Sequence, residues 1–220
     1  MGPTKPFHHP VNLDRLSQQL ALNECVLDYG CGYGRVIGLL QERGYRNLIG
    51  VDPASEMIAE AGRRFPTIRF EHLSEPPNLD MPANSVGAVL LFSVLTCVPS
   101  DDGQLAIIRE IYRVLRPGGL LYISDLVLQT DARNTERYAR DQPRHGTYGV
   151  FDLPEGATMR HHDPRWIQIL TSDYKSIALD RVEVQTMNGN PAVGFQWFGV
   201  KPAPRSSQIM RKSFQQAGSL

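Results

Sequence analysis

Residues 26–35 read VLDYGCGYGR. An apolar run ends in Asp28. Gly30, Gly32 and Gly34 then alternate with other residues, and an amphipathic stretch, GRVIGLLQERGY (34–45), follows. Glycine weakens regular structure wherever its freedom is not needed. Three at this spacing therefore mark a turn in which positive φ angles, or the close approach of another molecule, matter. A buried strand, a glycine loop and a helix in succession aim backbone N–H groups at whatever lies beyond the carboxyl end of the strand.

Outward from this point the alternation continues. NLIGVDP (47–53), IRFEHL (68–73), VGAVLLFSVL (86–95) and LLYISDLVL (120–128) read as strands. Helices are expected over SEMIAEAGRRFP (55–66) and DGQLAIIREIYRVLRPGG (102–119), the second stopped by Pro117, Gly118 and Gly119. VNLDRLSQQLAL (11–22) has apolar residues at helical spacing and leads into the domain. The strands are continuous apolar runs rather than alternating ones, which predicts an α/β protein with a parallel sheet covered by helices on both faces. Ligands of such sheets bind beyond the carboxyl ends of the strands, so the informative loops start at Asp28, Asp52, His72, Ser93 and Asp125.

The spacing of the glycines narrows the ligand. A dinucleotide fingerprint needs a third glycine where Arg35 stands, and the Gly-Lys-Ser/Thr ending of a phosphate loop is absent. Asp52 ends the second strand, 18 residues after Gly34, where an acid accepts hydrogen bonds from ribose hydroxyls. The expected ligand has a ribose and lies against the glycines, and its phosphate, if any, is not held there.

Composition bounds the remaining classes. The chain has 220 residues, 41% hydrophobic and 21% charged, with 23 basic and 23 acidic side chains. This balance argues against bulk binding to nucleic acid or an anionic membrane, and no apolar run approaches the roughly 18 residues of a membrane span. Cys25, Cys31 and Cys97 are odd in number and fit no zinc or disulfide spacing, as expected in a reducing compartment. The opening MGPTKPFHHP lacks the apolar stretch of a secretory signal. A cytoplasmic protein is expected.

With these residues in place, the chain resembles the class I S-adenosylmethionine-dependent methyltransferases. The resemblance is carried by VLDYGCGYGR, by IGVDPASEMI (49–58), by FSVLTCV (92–98) and by EIYRVLRPGGLLYISD (110–125), and it covers about residues 20–130. It implies a Rossmann-like three-layer sandwich with a mostly parallel seven-stranded sheet, whose antiparallel last strand is FQWFGV (195–200). It also implies S-adenosylmethionine as cofactor, S-adenosylhomocysteine as product, and methyl transfer to an oxygen or nitrogen of a small molecule. A protein methyltransferase and a non-catalytic binder of the same cofactor are the alternatives. By resemblance, Gly30, Gly32 and Gly34 let the methionine part and ribose lie against the backbone. Asp28 positions the loop and meets the amino group, Asp52 holds the ribose hydroxyls, and Pro53 and Met57 pack on adenine. Leu73 and Ser74 stand where the family often has an acid at the adenine edge, with Glu75 or a backbone group as substitute. Phe92 and Ser93 line the methionine side. Cys97 occupies the place of a histidine in many relatives.

The second half reads differently. Residues 129–163 are polar with little periodicity and are expected to form an acceptor-site insert or lid. Within it, Arg144, Tyr148 and Arg160 are candidate acceptor contacts, with Tyr33 from the glycine loop. His161 and His162 are candidate general bases, because imidazole titrates near neutrality. Adjacent histidines project differently, so they are not read with Asp163 as a metal site. His8 and His9 are read as a leftover tag or a mobile lid. PRWIQILTSDY (164–174) should be a helix with Pro164 in its first turn. IALDRVEVQTM (177–187) and PAVGFQWFGVKP (191–202) should be strands joined by NGN. One domain over 1–203, a polar tail over 204–220 and a monomer or homodimer complete the expectation.

Overall fold

The computed structural model describes residues 9–186 and 189–204. Its sheet has seven strands in the order β3-β2-β1-β4-β5-β9-β8. These are β1 (Val26–Tyr29), β2 (Leu48–Asp52), β3 (Arg69–His72), β4 (Val86–Phe92), β5 (Leu115–Leu126), β8 (Lys175–Gln185) and β9 (Pro191–Val200). β1 to β5 pair in parallel, whereas β9 lies antiparallel between β5 and β8. The expected mostly parallel seven-stranded α/β sheet with an antiparallel last strand is the observed one.

Continuous apolar runs are explained by the two cores. Leu27, Val89, Leu91, Leu121 and Ile123 face one core, shared with helices α4 (Asp101–Val114) and α6 (Pro164–Leu170). Their neighbours Val26, Ala88, Leu90, Leu120 and Tyr122 face the other, shared with α1 (Leu13–Gln19) and α2 (Arg35–Glu42). Successive side chains point to opposite sides of a strand, so a sheet buried on both sides has no polar phase. α3 (Ser55–Arg64) connects β2 to β3.

Two expectations are corrected. The helix predicted to run to Gly119 ends at Val114; Leu115 leaves it at φ −63°, ψ 131° and starts β5. The reason lies far away in sequence: the buried Lys201 ammonium donates to the carbonyls of Tyr112 and Leu115 and to Asn84 Oδ1, at 2.7–2.8 Å. It thus satisfies carbonyls that a helix end leaves open. The polar insert is also not a loop. It folds as α5 (Ala132–His145) followed by the hairpin of β6 (Val150–Asp152) and β7 (Thr158–Arg160). The inward face of α5 is Asn134, Tyr138 and Asp141. That is helical spacing written in polar residues, which a search for apolar periodicity passes over. Asp131 caps the helix through Asn134 N, and Gly146 closes it in the left-handed conformation.

β8 and β9 pair as expected, with Gln185 opposite Pro191. The centre of the expected NGN turn falls partly on Asn188, outside the described residues, as do His8 and the tail from residue 205 onward.

Candidate active site

The glycine loop bends sharply off β1, and Gly30, Gly32 and Gly34 all have positive φ. Their roles divide. A side chain on Gly30 would collide with Val94, and one on Gly34 would meet the Phe65 ring at 2.9 Å. These two glycines serve internal packing. Nothing lies within 4 Å of where a Cβ on Gly32 would stand. Gly32 is therefore the position where the backbone faces open space, in a cavity of about 130 Å³ walled by Asp28, Gly30, Gly32, Tyr33, Arg35 and Phe92.

Asp28, at the heart of this cavity, is 1% exposed, and its Oδ2 has no hydrogen-bond partner. Burial pushes its carboxyl up to about 7; Arg35 pulls it down and Asp52 pushes it further up. A buried carboxylate oxygen without a donor is costly, so its place in this cavity fits a cationic group on a ligand.

Asp52 at the end of β2 ties the loop to the next helix. Its Oδ2 accepts from Gly32 N and its Oδ1 from Ala54 N, each at 2.8 Å. Each oxygen keeps a further lone pair for a ribose hydroxyl. Pro53 and Met57 are exposed beside it, Met57 at 44%. Leu73 and Ser74 line a neighbouring groove of about 280 Å³, together with Val51, Glu75 and Asp80. Leu73 is buried and its N–H donates to Asp52 O, while Ser74 is exposed.

At the end of β4, Phe92 stacks edge-on against Tyr122, and Ser93 adopts φ 58° with its buried Oγ unpartnered. A non-glycine residue in that region is strained, and such strain collects at functional sites. The segment after it is fixed by Asp125, fully buried at the end of β5, whose carboxylate accepts from Thr96 N and Leu126 N. Burial raises Asp125 to about 7 as well.

The candidates from the insert are placed elsewhere. His162 is 0% exposed. Its Nδ1 donates to Leu126 O at 2.9 Å, and its Nε2 faces the Gln104 side-chain amide at 3.0 Å. Both ring nitrogens are spent on the fold, and burial holds the ring near pKa 4. His161 is 4% exposed and shares a 2.5 Å hydrogen bond with the Tyr138 hydroxyl; burial and then Arg137 bring it to about 3. Both imidazoles are thus buried and hydrogen-bonded within the protein. Arg160, 4% exposed, donates to Asp101 and to Pro99 O and lies over the Trp166 ring. Arg144 pairs with Asp152 on the surface. Tyr148 packs its partly exposed ring on Tyr138. Tyr33 lines the glycine-loop cavity, with the Arg64 guanidinium 4.5 Å from its ring centre.

A cavity of about 930 Å³ opens instead between α2, residues 9–11, residues 127–131 and the β8–β9 pair. His9 stands in its wall, 0% exposed, with Nδ1 3.0 Å from Ser124 Oγ. The segment around it is pinned to the sheet: Asn12 N donates to Tyr122 Oη and Gln196 Nε2 to Pro10 O. Arg35 lines both this cavity and the glycine-loop cavity, and so joins them. Sequence reasoning gave Arg35 no role and read His9 as a leftover tag or a mobile lid, whereas His9 is buried in a segment held against the sheet. Arg35 registered only as a missing glycine, and His9 had no motif around it.

No helix among the described residues is long and apolar enough to cross a membrane. Residues 26–119 match the family model described as a methyltransferase domain. A malonyl-[acyl-carrier protein] O-methyltransferase of Marinomonas sp. is 34% identical over 119 residues, covering 53% of this chain and 44% of that protein. An N-demethylindolmycin N-methyltransferase of Streptomyces griseus is 32% identical over 100 residues, covering 44% of this chain and 42% of that protein. The chain thus spans about half, or less, of the length of these curated relatives. A crystal structure from Methanosarcina mazei, described as of SAM-dependent methyltransferases, superposes with a TM-score of 0.81 at 24% identity, covering 86% of this chain and 98% of that one. Motif and strand order agree with this similarity, and residues 26–119 are what the chain shares with methyltransferase domains.

Proposed function

We propose that this protein transfers a methyl group from S-adenosylmethionine to an oxygen or nitrogen atom of a small molecule. The observation that carries the reading is the orphaned, buried carboxylate oxygen of Asp28 in the glycine-loop cavity. A ligand with a sulfonium and an ammonium group suits it, because a cation beside Asp28 restores the carboxylate that burial disfavours.

S-adenosylmethionine, when bound, supplies a methyl group activated by the sulfonium, so that carbon leaves sulfur in line as an acceptor lone pair takes it. The protein's own work is alignment and the exclusion of water. Gly32 gives the ligand access to the backbone, and Asp28 meets its ammonium group. Asp52 holds the ribose with lone pairs not used by Gly32 and Ala54. Pro53, Met57 and Leu73 pack on the adenine, with Ser74 or Glu75 at its edge, and Phe92 and Ser93 border the methionine side. A cavity of about 930 Å³ lies in the range that small-molecule sites occupy.

The test is a titration of S-adenosylmethionine, S-adenosylhomocysteine and NAD against wild type and Asp52→Ala, followed by assay for S-adenosylhomocysteine release with a panel of small acceptors. Micromolar binding of the first two, lost in the variant, together with acceptor-dependent release, is the expected result. Tight binding without turnover on any acceptor would favour a non-catalytic binder. Preference for NAD would overturn the reading.

A further inference from the structure

Among the described residues, the Arg35 guanidinium takes part in no hydrogen bond and no ion pair, although the side chain is only partly exposed. Its charge acts on Asp28 and His9 through space, and burial lowers its own pKa. A guanidinium with five donors, none of them bonded within the described residues, is open to an acceptor from outside the protein.

The other buried polar groups of the 930 Å³ cavity are already committed. Gln129 donates to Val127 O and Val193 O and accepts from Val193 N. Asp131, an exposed carboxylate at the cavity's rim, caps the start of α5, accepting from Asn134 N at 3.2 Å. Arg181 and Glu183 are exposed at the cavity's edge, where water serves them. Much of the remaining wall is apolar, with Leu39 and Val193 among its members.

We infer that the methyl acceptor is a small carboxylate-class anion with an apolar body, held in this cavity with its charged end on Arg35. Arginine matches a carboxylate with two parallel hydrogen bonds. Because Arg35 also walls the glycine-loop cavity, the charged end sits at the junction of the two and the apolar body extends toward Leu39 and Val193. The donor's position on the other side of the junction rests on the methyl-transfer reading above; the anion site itself does not. No proton-accepting side chain is required to hold such a ligand, in keeping with the burial of His161 and His162.

Binding of benzoate, 1-naphthoate and decanoate, each against its neutral amide, tests the inference by calorimetry on wild type, Arg35→Gln, Arg35→Lys and Leu39→Trp, with and without S-adenosylhomocysteine. Thermal melts confirm that each variant is folded. At least one acid should bind wild type about tenfold or more tightly than its amide. Arg35→Gln should erase that preference while S-adenosylhomocysteine affinity stays within about threefold, and Arg35→Lys should restore part of it. Leu39→Trp, which narrows the cavity and leaves Arg35 in place, should weaken the acid and spare S-adenosylhomocysteine. Three results would each overturn the inference: no acid preferred over its amide; a preference that survives Arg35→Gln; or loss of S-adenosylhomocysteine alone in Arg35→Gln, which would assign the guanidinium to the cofactor's own carboxylate. If wild type ignores S-adenosylhomocysteine but binds an acid through Arg35, the methyl-transfer reading falls and the anion site stands.

Discussion

The two halves of the site are built in opposite ways. The proposed cofactor side comes from consecutive loops: Asp28 to Arg35, Asp52 to Met57, Leu73 to Glu75, Phe92 and Ser93. Each follows its own strand, so local sequence decides its geometry. The larger cavity is assembled from residues 9–11, 35–39, 127–131 and 181–193, segments that meet only in the finished fold. The difference teaches where each kind of evidence is strong. A site made of strand ends can be read as a motif. A site made of a terminal segment, a helix face and a hairpin has no motif to read.

The sharpest way to break this comparison is at Asp28. Replacing it with Asn should weaken S-adenosylmethionine binding at pH 8 by about 100-fold or more, on the order of 3 kcal/mol. The same change should raise the melting temperature at pH 8 relative to pH 5, because it removes a buried charge. The sign follows from linkage. The folded carboxyl titrates near 7 and the unfolded one near 3.8, so the folded state holds the extra proton between these values. Its contribution to stability is full below about 4 and is lost as pH rises toward 7. Loss of both cofactor affinity and stability in Asp28→Asn would mean that the carboxylate is structural.

Next in size is His162→Ala. If the imidazole serves the fold, the variant loses about 2–3 kcal/mol of stability, read by urea unfolding. Its folded fraction should then keep cofactor affinity and show no shift in the pH–rate profile. A normal melting curve with abolished turnover would restore the base that the sequence suggested. A smaller effect concerns pH alone: cofactor affinity should be about tenfold weaker at pH 6 than at pH 8, as Asp28 must lose its proton to meet a cation. A flat affinity profile would separate Asp28 from the cation. Tyr138→Phe should cost about 1 kcal/mol in thermal unfolding, since its hydroxyl bonds His161 and accepts from Gln129 N. Smallest is Arg144→Ala. Its ion pair with Asp152 has an arginine side chain 75% exposed, so melting temperature and turnover should stay within error. A marked rise in KM there would return the insert to the acceptor site.

These contrasts also show what the sequence could carry. The sheet was legible because β4 is an unbroken apolar run, β1 and β2 are apolar but for one aspartate each, and alternation with helices implies parallel pairing. Asp52 stood out by its place at the end of a strand, and the structure gives it a local task as well, since it accepts from Gly32 N and Ala54 N. α5 was not, since its buried face is Asn134, Tyr138 and Asp141. The end of α4 was not either, because the group that terminates it, Lys201, lies some ninety residues away. His161 and His162 looked like catalysts because their residue type is reactive, whereas burial and hydrogen bonding decide whether the reactivity is available. Arg35 shows the reverse: its type was noticed, but only packing reveals that its guanidinium makes no hydrogen bond within the described residues and faces two cavities.

The antiparallel seat of β9 between β5 and β8 has a temporal consequence. During synthesis the strands that carry the glycine loop and Asp52 can pair with one another before β8 and β9 are made, because the residues that pair, such as Val26 and Leu48, are close in sequence compared with those that β9 joins. β9 is the last of the sheet's strands in sequence, and Gln196 reaches back 186 residues to Pro10. Such long-range closure is slow. The loops proposed to hold a nucleoside are therefore made well before the strand that walls the larger cavity, and residues 9–11 wait for β9 to give them a place.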